Sequence, residues 1–269
     1  MTIHPGSVRA KTQRRHDRML ELVNQDITDV EALAVALGVS PSTVRRDLTF
    51  LQQRGAIART YGGAIALIPR LAEPTFTASL GVAVQEKEAI AQLAIEQIRH
   101  GDSLFIDAGT TCLALAKSLI GLGRRRVVTR GLETAVILRN DPDIEVIVVG
   151  GYVHPASHGV VGAMALHTLE RVYVDIAVLG ADVVDPELGL GEPTLEEIAV
   201  KELAVRHSAR QLLLVDHHKF EPHTTNAWMP LDGHCTVITD HLVREHTLSE
   251  WRMTHEVLQT KSPGSPRKA

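Results

Sequence analysis

"LGVSPSTVRRDLTFLQQR", residues 37–54, reads as the end of one helix, a tight turn and a second helix carrying paired arginines. Gly38 is placed to act as a left-handed C-cap, Ser40 as an N-cap and Pro41 as a first helical residue, so the break between the helices is short. Upstream, Val30, Leu33, Ala34 and Leu37 recur at i, i+3, i+4 and i+7, the apolar stripe of a short helix. Downstream, Val44, Leu48 and Leu51 make the inward stripe of the second helix. At about 100° per residue this turns Ser42, Arg46, Thr49 and Gln53 to the opposite face, with Arg45 on its flank. Hydroxyl and guanidinium groups there suit base edges and phosphates in a major groove. Taken alone, an Arg-Arg pair reads more simply as a solvated face whose arginines pair with Asp47 or water. The flanking sequence decides between the two.

After the second helix, "GAIARTYGGAI" (55–65) places short β-type runs around Arg59, Thr60 and Tyr61, then Gly62-Gly63, which supply the positive φ of a tight hairpin. This is a wing. Before the first stripe, an amphipathic run from Gln13 to Asn24, with Met19, Leu20 and Val23 turned inward, completes a three-helix winged module. The charge follows the same division. Residues 1–70 hold 10 Lys+Arg against 6 Asp+Glu, a net +4, and residues 71–269 hold 18 against 26, a net −8. A basic head on an acidic body points the head toward a polyanion.

The run "LAVALGVSPSTVRRDLTFLQQRGAIARTYGGA" (33–64) resembles the N-terminal signature of the DeoR family of bacterial transcription regulators, with its S-x-x-T-[IV]-R-R-D-L helix and R-x-x-G-G-A wing. The resemblance implies double-stranded operator DNA as the partner. It makes Ser42, Thr43, Arg45 and Arg46 the groove and phosphate contacts, joined on the same face by Thr49, with Arg59 and Tyr61 carrying the wing.

Residues 66–84 hold two prolines and no sustained periodicity, and read as a linker. From Gln85 onward, apolar β-branched runs ("SLFID", "RVVT", "EVIVVGG", "DIAVLG", "QLLLVD", "CTVIT") alternate with helical runs, most of them at 110–120, 131–139, 160–170 and 194–207. That alternation predicts a buried parallel sheet with helices on both faces, and a ligand site beyond the carboxyl ends of the strands. Asp107-Ala108-Gly109-Thr110-Thr111 passes from strand to helix and offers backbone N–H groups, two hydroxyls and a positive helix end to an anion, although an ordinary helix cap has the same pattern. Thr129-Arg130-Gly131, Gly150-Gly151, Gly180-Ala181-Asp182 and Asp216-His217-His218-Lys219-Phe220 end other strands. Cations and amides for a phosphate, with carboxylates for hydroxyls, are what a small polyhydroxy phosphate requires.

The resemblance continues through "EKEAIAQLA", "GDSLFIDAGTT", "VIVVGG", "GLGEPTLEEIAVKELA" and "LLLVDHHKF", as far as about Asp240. These look like the family's sugar-phosphate effector domain, a Rossmann-like α/β fold related to ribose-5-phosphate isomerase. The resemblance marks Lys87, Asp107, Gly109, Thr110, Thr111, Gly150, Gly151, Lys201, Asp216 and Lys219 as effector-binding. Two positions depart from the family: Arg130 stands where Thr-Asn is common, and His218 where Ser precedes Lys219. Arg130 is either an extra phosphate ligand or a sign of an effector unlike the usual ones. An arginine common in the family before "EK" is replaced near Ser79 or Leu80.

The expected organisation is thus a winged helix-turn-helix domain at 1–65, a linker at 66–84, an effector domain at 85–245 and a C-terminal extension at 246–269 whose end is disordered. The expected function is a repressor of a sugar-catabolism operon, cytoplasmic and homo-oligomeric, because one winged head recognises too few base pairs. The basic N-terminus has no apolar core and the chain no run of 18 apolar residues, so neither a signal peptide nor a membrane span is expected. An isomerase-like enzyme is the rival reading. Gly180-Ala181-Asp182 resembles the start of the isomerases' G-A-D-E segment, but the lysine expected about ten residues later falls near Glu192, and the basic head would be unexplained. The 14 histidines show no HExxH spacing and the two cysteines no CxxC pair, so no metal or cofactor is expected.

Overall fold

The computed structural model describes residues 15–16, 18–19, 22–23, 27, 29–53, 57–60, 63–66, 75–221, 225–231 and 234–262, with the backbone alone at 52–53, 57–60 and 63–66. The chain divides into two compact units, Met1–Ala72 and Glu73–Ala269.

In the first unit, Arg15, His16, Arg18, Met19, Leu22 and Val23 are helical, followed by α1 (Val30–Leu37) and α2 (Pro41–Gln53). Asp29 caps α1 by accepting the backbone N–H groups of Glu31 and Ala32 at 2.9 and 3.0 Å. Gly38 ends it at φ 63°, and Ser40 Oγ accepts the Thr43 N–H at 3.2 Å to begin α2. Met19, Leu22, Val23, Val30, Leu33, Ala34, Val44, Leu48 and Leu51 form one buried cluster, each helix giving one face. Leu22 lies inward beside Met19 and Val23; Leu20 lies outside the described residues. Strands β1 (Ile57–Thr60) and β2 (Gly63–Ala66) pair antiparallel, with Thr60 opposite Gly63, as a wing requires. Tyr61 lies outside the described residues.

The second unit opens with a short helix, α3 (Phe76–Ser79), and α4 (Val84–Ile95). Then come β3 (Leu104–Ile106), α5 (Thr110–Leu119), β4 (Arg125–Thr129), α6 (Leu132–Leu138) and β5 (Ile144–Val148). A small hairpin, β6 (Tyr152–Val153) and β7 (Val160–Val161), leads to α7 (Ala163–Leu169) and β8 (Val174–Leu179). After β9 (Val183–Asp185), β10 (Gly189–Glu192), α8 (Leu195–Arg206) and β11 (Ser208–Val215) come β12 (Ala227–Met229), β13 (Cys235–Thr239), α9 (Glu245–Trp251) and β14 (Glu256–Gln259). Seven strands form one parallel sheet in the order β14-β13-β11-β8-β3-β4-β5, while β9, β10 and β12 form a separate antiparallel sheet.

Both faces of the parallel sheet are covered. Phe105 points into one core cluster with Leu179, Leu213 and Trp251, while its neighbours Leu104 and Ile106 enter the other with Leu115, Val178 and Leu212. That is why these strands read as unbroken apolar runs rather than alternating ones. The chain lays β3, β4 and β5 outward in one direction and then returns to lay β8, β11, β13 and β14 in the other, so the order reverses between β3 and β8. A crevice at the carboxyl end of such a switch point is the natural ligand site of an open α/β sheet.

Two stretches differ from their sequence reading. The 75–83 part of the expected linker is docked on the body: the Phe76 N–H donates to the Ala156 carbonyl at 2.7 Å and the Phe76 side chain is buried. One aromatic in a proline-flanked segment carries no periodicity to reveal this. The expected extension at 246–269 supplies α9 and the edge strand β14, paired parallel to β13 from Thr236↔Glu256 to Thr239↔Gln259. "EVLQ" is short and half-buried, hence its weak β pattern. Residues 263–269, expected to be disordered, lie outside the described residues.

Candidate functional site

On the head, the structure brings the expected polar face together on α2. Ser42, Arg45, Arg46 and Thr49 are exposed and Thr43 is half-buried, on the side away from the buried Val44, Leu48 and Leu51. Thr49 Oγ1 donates back to the Arg45 carbonyl at 2.8 Å, and Thr43 Oγ1 lies 2.9 Å from Ser40 Oγ. Asp47 does not pair with either arginine. It is buried, held by Arg15 Nε at 2.6 Å and by His16 Nε2 at 3.1 Å. Burial raises its carboxyl, but Arg15 and His16 outweigh that and leave it below the usual carboxylate range. Among the described residues Arg45 meets Glu31, at 3.5 Å, with both side chains more than half exposed. The Asp47 pairing that the solvated-face reading allowed is therefore not formed, and both arginines face solvent. The backbone of Arg59 lies in β1, and Tyr61 is outside the described residues.

In the body, a cavity of about 270 Å³ opens at the carboxyl ends of β3, β4, β8 and β11. Of the expected effector residues, Lys87, Gly109, Thr110, Thr111, Arg130, Lys201, Asp216 and Lys219 line it, and Asp107 lies directly beneath. Gly109 enters α5 at φ 106° with open space beside its Cα, so the turn that presents Thr110 and Thr111 needs a residue tolerant of positive φ.

Gly150 and Gly151 are not among the described residues lining the cavity. Gly151 sits at φ 139°, where a side chain would collide with the Val161 carbonyl, and Gly150 lies against Met164. Glycine at 151 lets the β6–β7 hairpin close, whereas a side chain at 150 would meet only ordinary contact.

The floor of the cavity is a buried charge network. Asp107 receives Arg130 Nε and the Ala108 N–H on one oxygen, and Lys201 Nζ and the Gly180 N–H on the other. Lys201 also meets Glu192 at 2.7 Å and the Gly180 carbonyl at 2.8 Å. Arg130 reaches Glu197 at 3.5 Å, whose carboxylate also accepts from Ser157 Oγ at 2.7 Å and Thr194 Oγ1 at 3.0 Å. Asp107, Arg130, Lys201, Glu192 and Glu197 are all at most 4 % exposed.

Burial raises Asp107, but Arg130 and then Lys201 offset it and hold the carboxyl at about 2. Burial also lowers Lys201, which Asp107 and Glu192 raise to a net upward shift. Glu192 goes the other way: burial carries it to about 7, Lys201 opposing and Glu197 adding to the rise. Arg130 and Lys201 thus line the cavity while their charges are matched from within.

The cations nearer the opening are Lys219, 3.4 Å from Asp182, and Lys87, 3.7 Å from Asp216.

Several lining residues were not among the expected ones, Phe76, Ser157, Glu192 and Glu197 among them. Glu197 and Lys201 stand four apart on the buried side of α8 with Ile198, Val200 and Ala204, so charges inside an apolar stripe were the available signal. Phe76 opens a four-residue helix and Ser157 lies in the turn between β6 and β7, and neither gave one. Asp216, His217 and His218 lie close enough together to hold a metal ion; the Nδ1 of His217 faces Asp240 at 3.1 Å, and Lys87 faces Asp216. Cys112 is buried behind the cavity, and burial, with Asp107, drives its thiol up, which suits packing rather than nucleophilic attack. No helix among the described residues is long and apolar enough to cross a membrane.

Residues 82–241 match the family model described as the DeoR C terminal sensor domain, and residues 15–69 match the DeoR-like helix-turn-helix domain. The HTH-type transcriptional regulator GolR of Listeria innocua is 32% identical over 233 residues, covering 86% of this chain and 91% of that protein. The glycerol-3-phosphate regulon repressor of Escherichia coli is 34% identical over 211 residues, covering 78% and 83%. Among solved structures, ribose 5-phosphate isomerase A of Methanocaldococcus jannaschii gives a TM-score of 0.39 at 16% identity, over 51% of this chain and 55% of that one. The sorbitol operon regulator SorC of Klebsiella pneumoniae gives 0.39 at 12%, over 88% and 98%. Those scores are too low to bear on the site. The two matched domains and the curated relatives decide the matter, and the chain belongs to the DeoR family of transcription regulators.

Proposed function

We propose that this protein is a cytoplasmic, homo-oligomeric repressor that binds operator DNA through α2 and its wing and is controlled by a phosphorylated sugar or polyol bound in the body. The observation that carries the reading is the α2 face: Arg45 and Arg46 project from the side opposite the buried stripe, and the neighbouring acid, Asp47, is turned inward onto Arg15 and His16. Among the described residues of that helix, none competes with DNA phosphates for the two guanidinium groups. The names of relatives such as the glycerol-3-phosphate regulon repressor support both repression and a phosphorylated effector. The cavity supports the latter independently, with the Gly109–Thr111 turn, Lys87 and Lys219 around one volume.

The test pairs two titrations. Binding to the DNA upstream of the protein's own gene and its neighbours is measured at several salt concentrations. Calorimetry is run against glycerol 3-phosphate, ribose 5-phosphate and hexose phosphates. Arg45→Ala with Arg46→Ala should weaken DNA binding and shrink the salt slope by about 2, leaving sugar-phosphate binding intact. Lys219→Ala should do the reverse. Unchanged DNA affinity in the arginine variant would overturn the head's role, and unchanged effector affinity in the lysine variant the body's.

A further inference from the structure

We propose that the segment 75–82, which leads from the head into the body, is a strap whose docking is coupled to occupancy of the cavity, and that Lys87 is the coupling residue. The inference rests on the reading of this cavity as a site for a phosphorylated ligand.

The strap is held at two places. At one end Thr75 Oγ1 caps α3, accepting the Ala78 N–H at 3.3 Å. Beside it the Phe76 N–H donates to the Ala156 carbonyl at 2.7 Å, and the buried Phe76 ring stacks on His158, with centroids 5.0 Å apart and planes at 22°. His158 is itself held in position at φ 55°, with its Nδ1 2.5 Å from Glu133 Oε1. At the other end the buried Lys87 ammonium donates to the carbonyls of Ser79 at 2.9 Å and Val82 at 2.7 Å.

An ammonium has three donors. The third faces Asp216 at 3.7 Å, too long for a hydrogen bond. Burial pulls Lys87 below its ordinary value, with Asp216 opposing and the nearby Lys219 adding to the fall. Lys87 lines the cavity, and so do Phe76, Ser79 and Val82 from the strap. A ligand phosphate oxygen taking the third donor therefore completes the ammonium and fastens the strap carbonyls to the ligand through one atom. Undocking the strap removes a wall of the cavity and the two carbonyls that keep Lys87 in place. Anion affinity must then differ between the docked and undocked states, and the coupling runs equally in both directions. Occupancy of the cavity is thereby felt by the chain that continues to the DNA-binding unit.

Hydrogen exchange on the full-length protein reads this out at the amides of Phe76, Ser79 and Leu80. Inorganic phosphate, glycerol 3-phosphate and ribose 5-phosphate serve as probes, and calorimetry establishes binding. In the wild type a bound probe should slow exchange at these amides at least 5-fold. Lys87→Met should speed it without any probe and abolish the response, whereas Lys87→Arg, which keeps a cation, should restore part of both. Should Lys87→Met fail to fold, Phe76→Ala, which removes no polar group, should weaken the best probe 5- to 50-fold and speed strap exchange. A probe that binds while the strap does not respond, or a strap as slow in a folded Lys87→Met as in the wild type, overturns the coupling and leaves the effector reading standing. If no phosphorylated probe binds the wild type, the effector reading fails and the coupling with it.

Discussion

Arg45 and Arg46 on α2 and Arg130 at the cavity floor carry the same group in opposite settings. Arg45 and Arg46 stand in solvent, and Glu31, the ion-pair partner of Arg45 among the described residues, is itself mostly exposed, so the pair contributes little to stability. Arg130 is 2 % exposed and bound to Asp107 and Glu197, with Lys201 and Glu192 completing the network. A solvated arginine can turn to an external anion at almost no cost. A buried one already matched by carboxylates cannot leave them without stranding charge in a low dielectric. The difference separates the two sets of cations in a way that residue type does not: Arg45 and Arg46 face solvent, whereas Arg130 and Lys201 are tied into ion pairs within the fold.

Removing one member of the network should have the largest effect on folding. Lys201→Ala strands Asp107 and Glu192 together, and the cost should be about 3–5 kcal/mol, measured as a shift in the urea midpoint of the body's transition. A loss under about 1 kcal/mol would mean that water reaches these groups, and the contrast with Arg45 would collapse.

Next comes Glu192→Gln, whose effect depends on pH. The folded-state carboxyl is raised from 4.5 to about 7 by burial, so folding favours its protonated form. That contribution is complete below pH 4.5, declines as pH rises from 4.5 to 7 and is lost above. An amide does not ionise. The variant should therefore gain on the parent through this window, by up to about 3 kcal/mol at pH 8. Asp107 has the opposite sign, its stabilisation being present above its unfolded value and lost as pH falls toward 2. Parallel stability curves for Glu192→Gln and wild type from pH 4.5 to 8 would show that Glu192 is solvated.

Gly151→Ala should cost about 1–3 kcal/mol, because its φ of 139° and the Val161 carbonyl both oppose a side chain. Probe affinity measured by calorimetry should not change, which sharpens the distinction between closing a hairpin and binding a ligand. The smallest effect on stability belongs to Arg45→Ala with Arg46→Ala, expected within about 0.5 kcal/mol of wild type in the same denaturation assay even though DNA binding is weakened.

The head was almost wholly legible. Gly38, Ser40 and the stripe of Val44, Leu48 and Leu51 behave as their spacing predicts, because caps and helical periodicity act within a few residues. The body's sheet was legible in six of its strand positions, since strands buried on both faces cannot avoid being continuous apolar runs. Strand β14 and the docked α3 were not, because each is short and gains its stability from partners distant in sequence: β13 in one case, Ala156 and His158 in the other.

By itself, then, the sequence determined the two-unit plan, the winged head with its outward arginines and the strand ends as the place where the cavity lies. All of these follow from periodicity, caps and charge along the chain. Only the tertiary structure decided which charged groups remain available there. Lys201 meets Asp107 across 94 residues of sequence, and Arg130 turns inward to Asp107 and Glu197. The reach of an ion pair is a few ångströms in space, and proximity in space is set by the crossing of the sheet at its switch point.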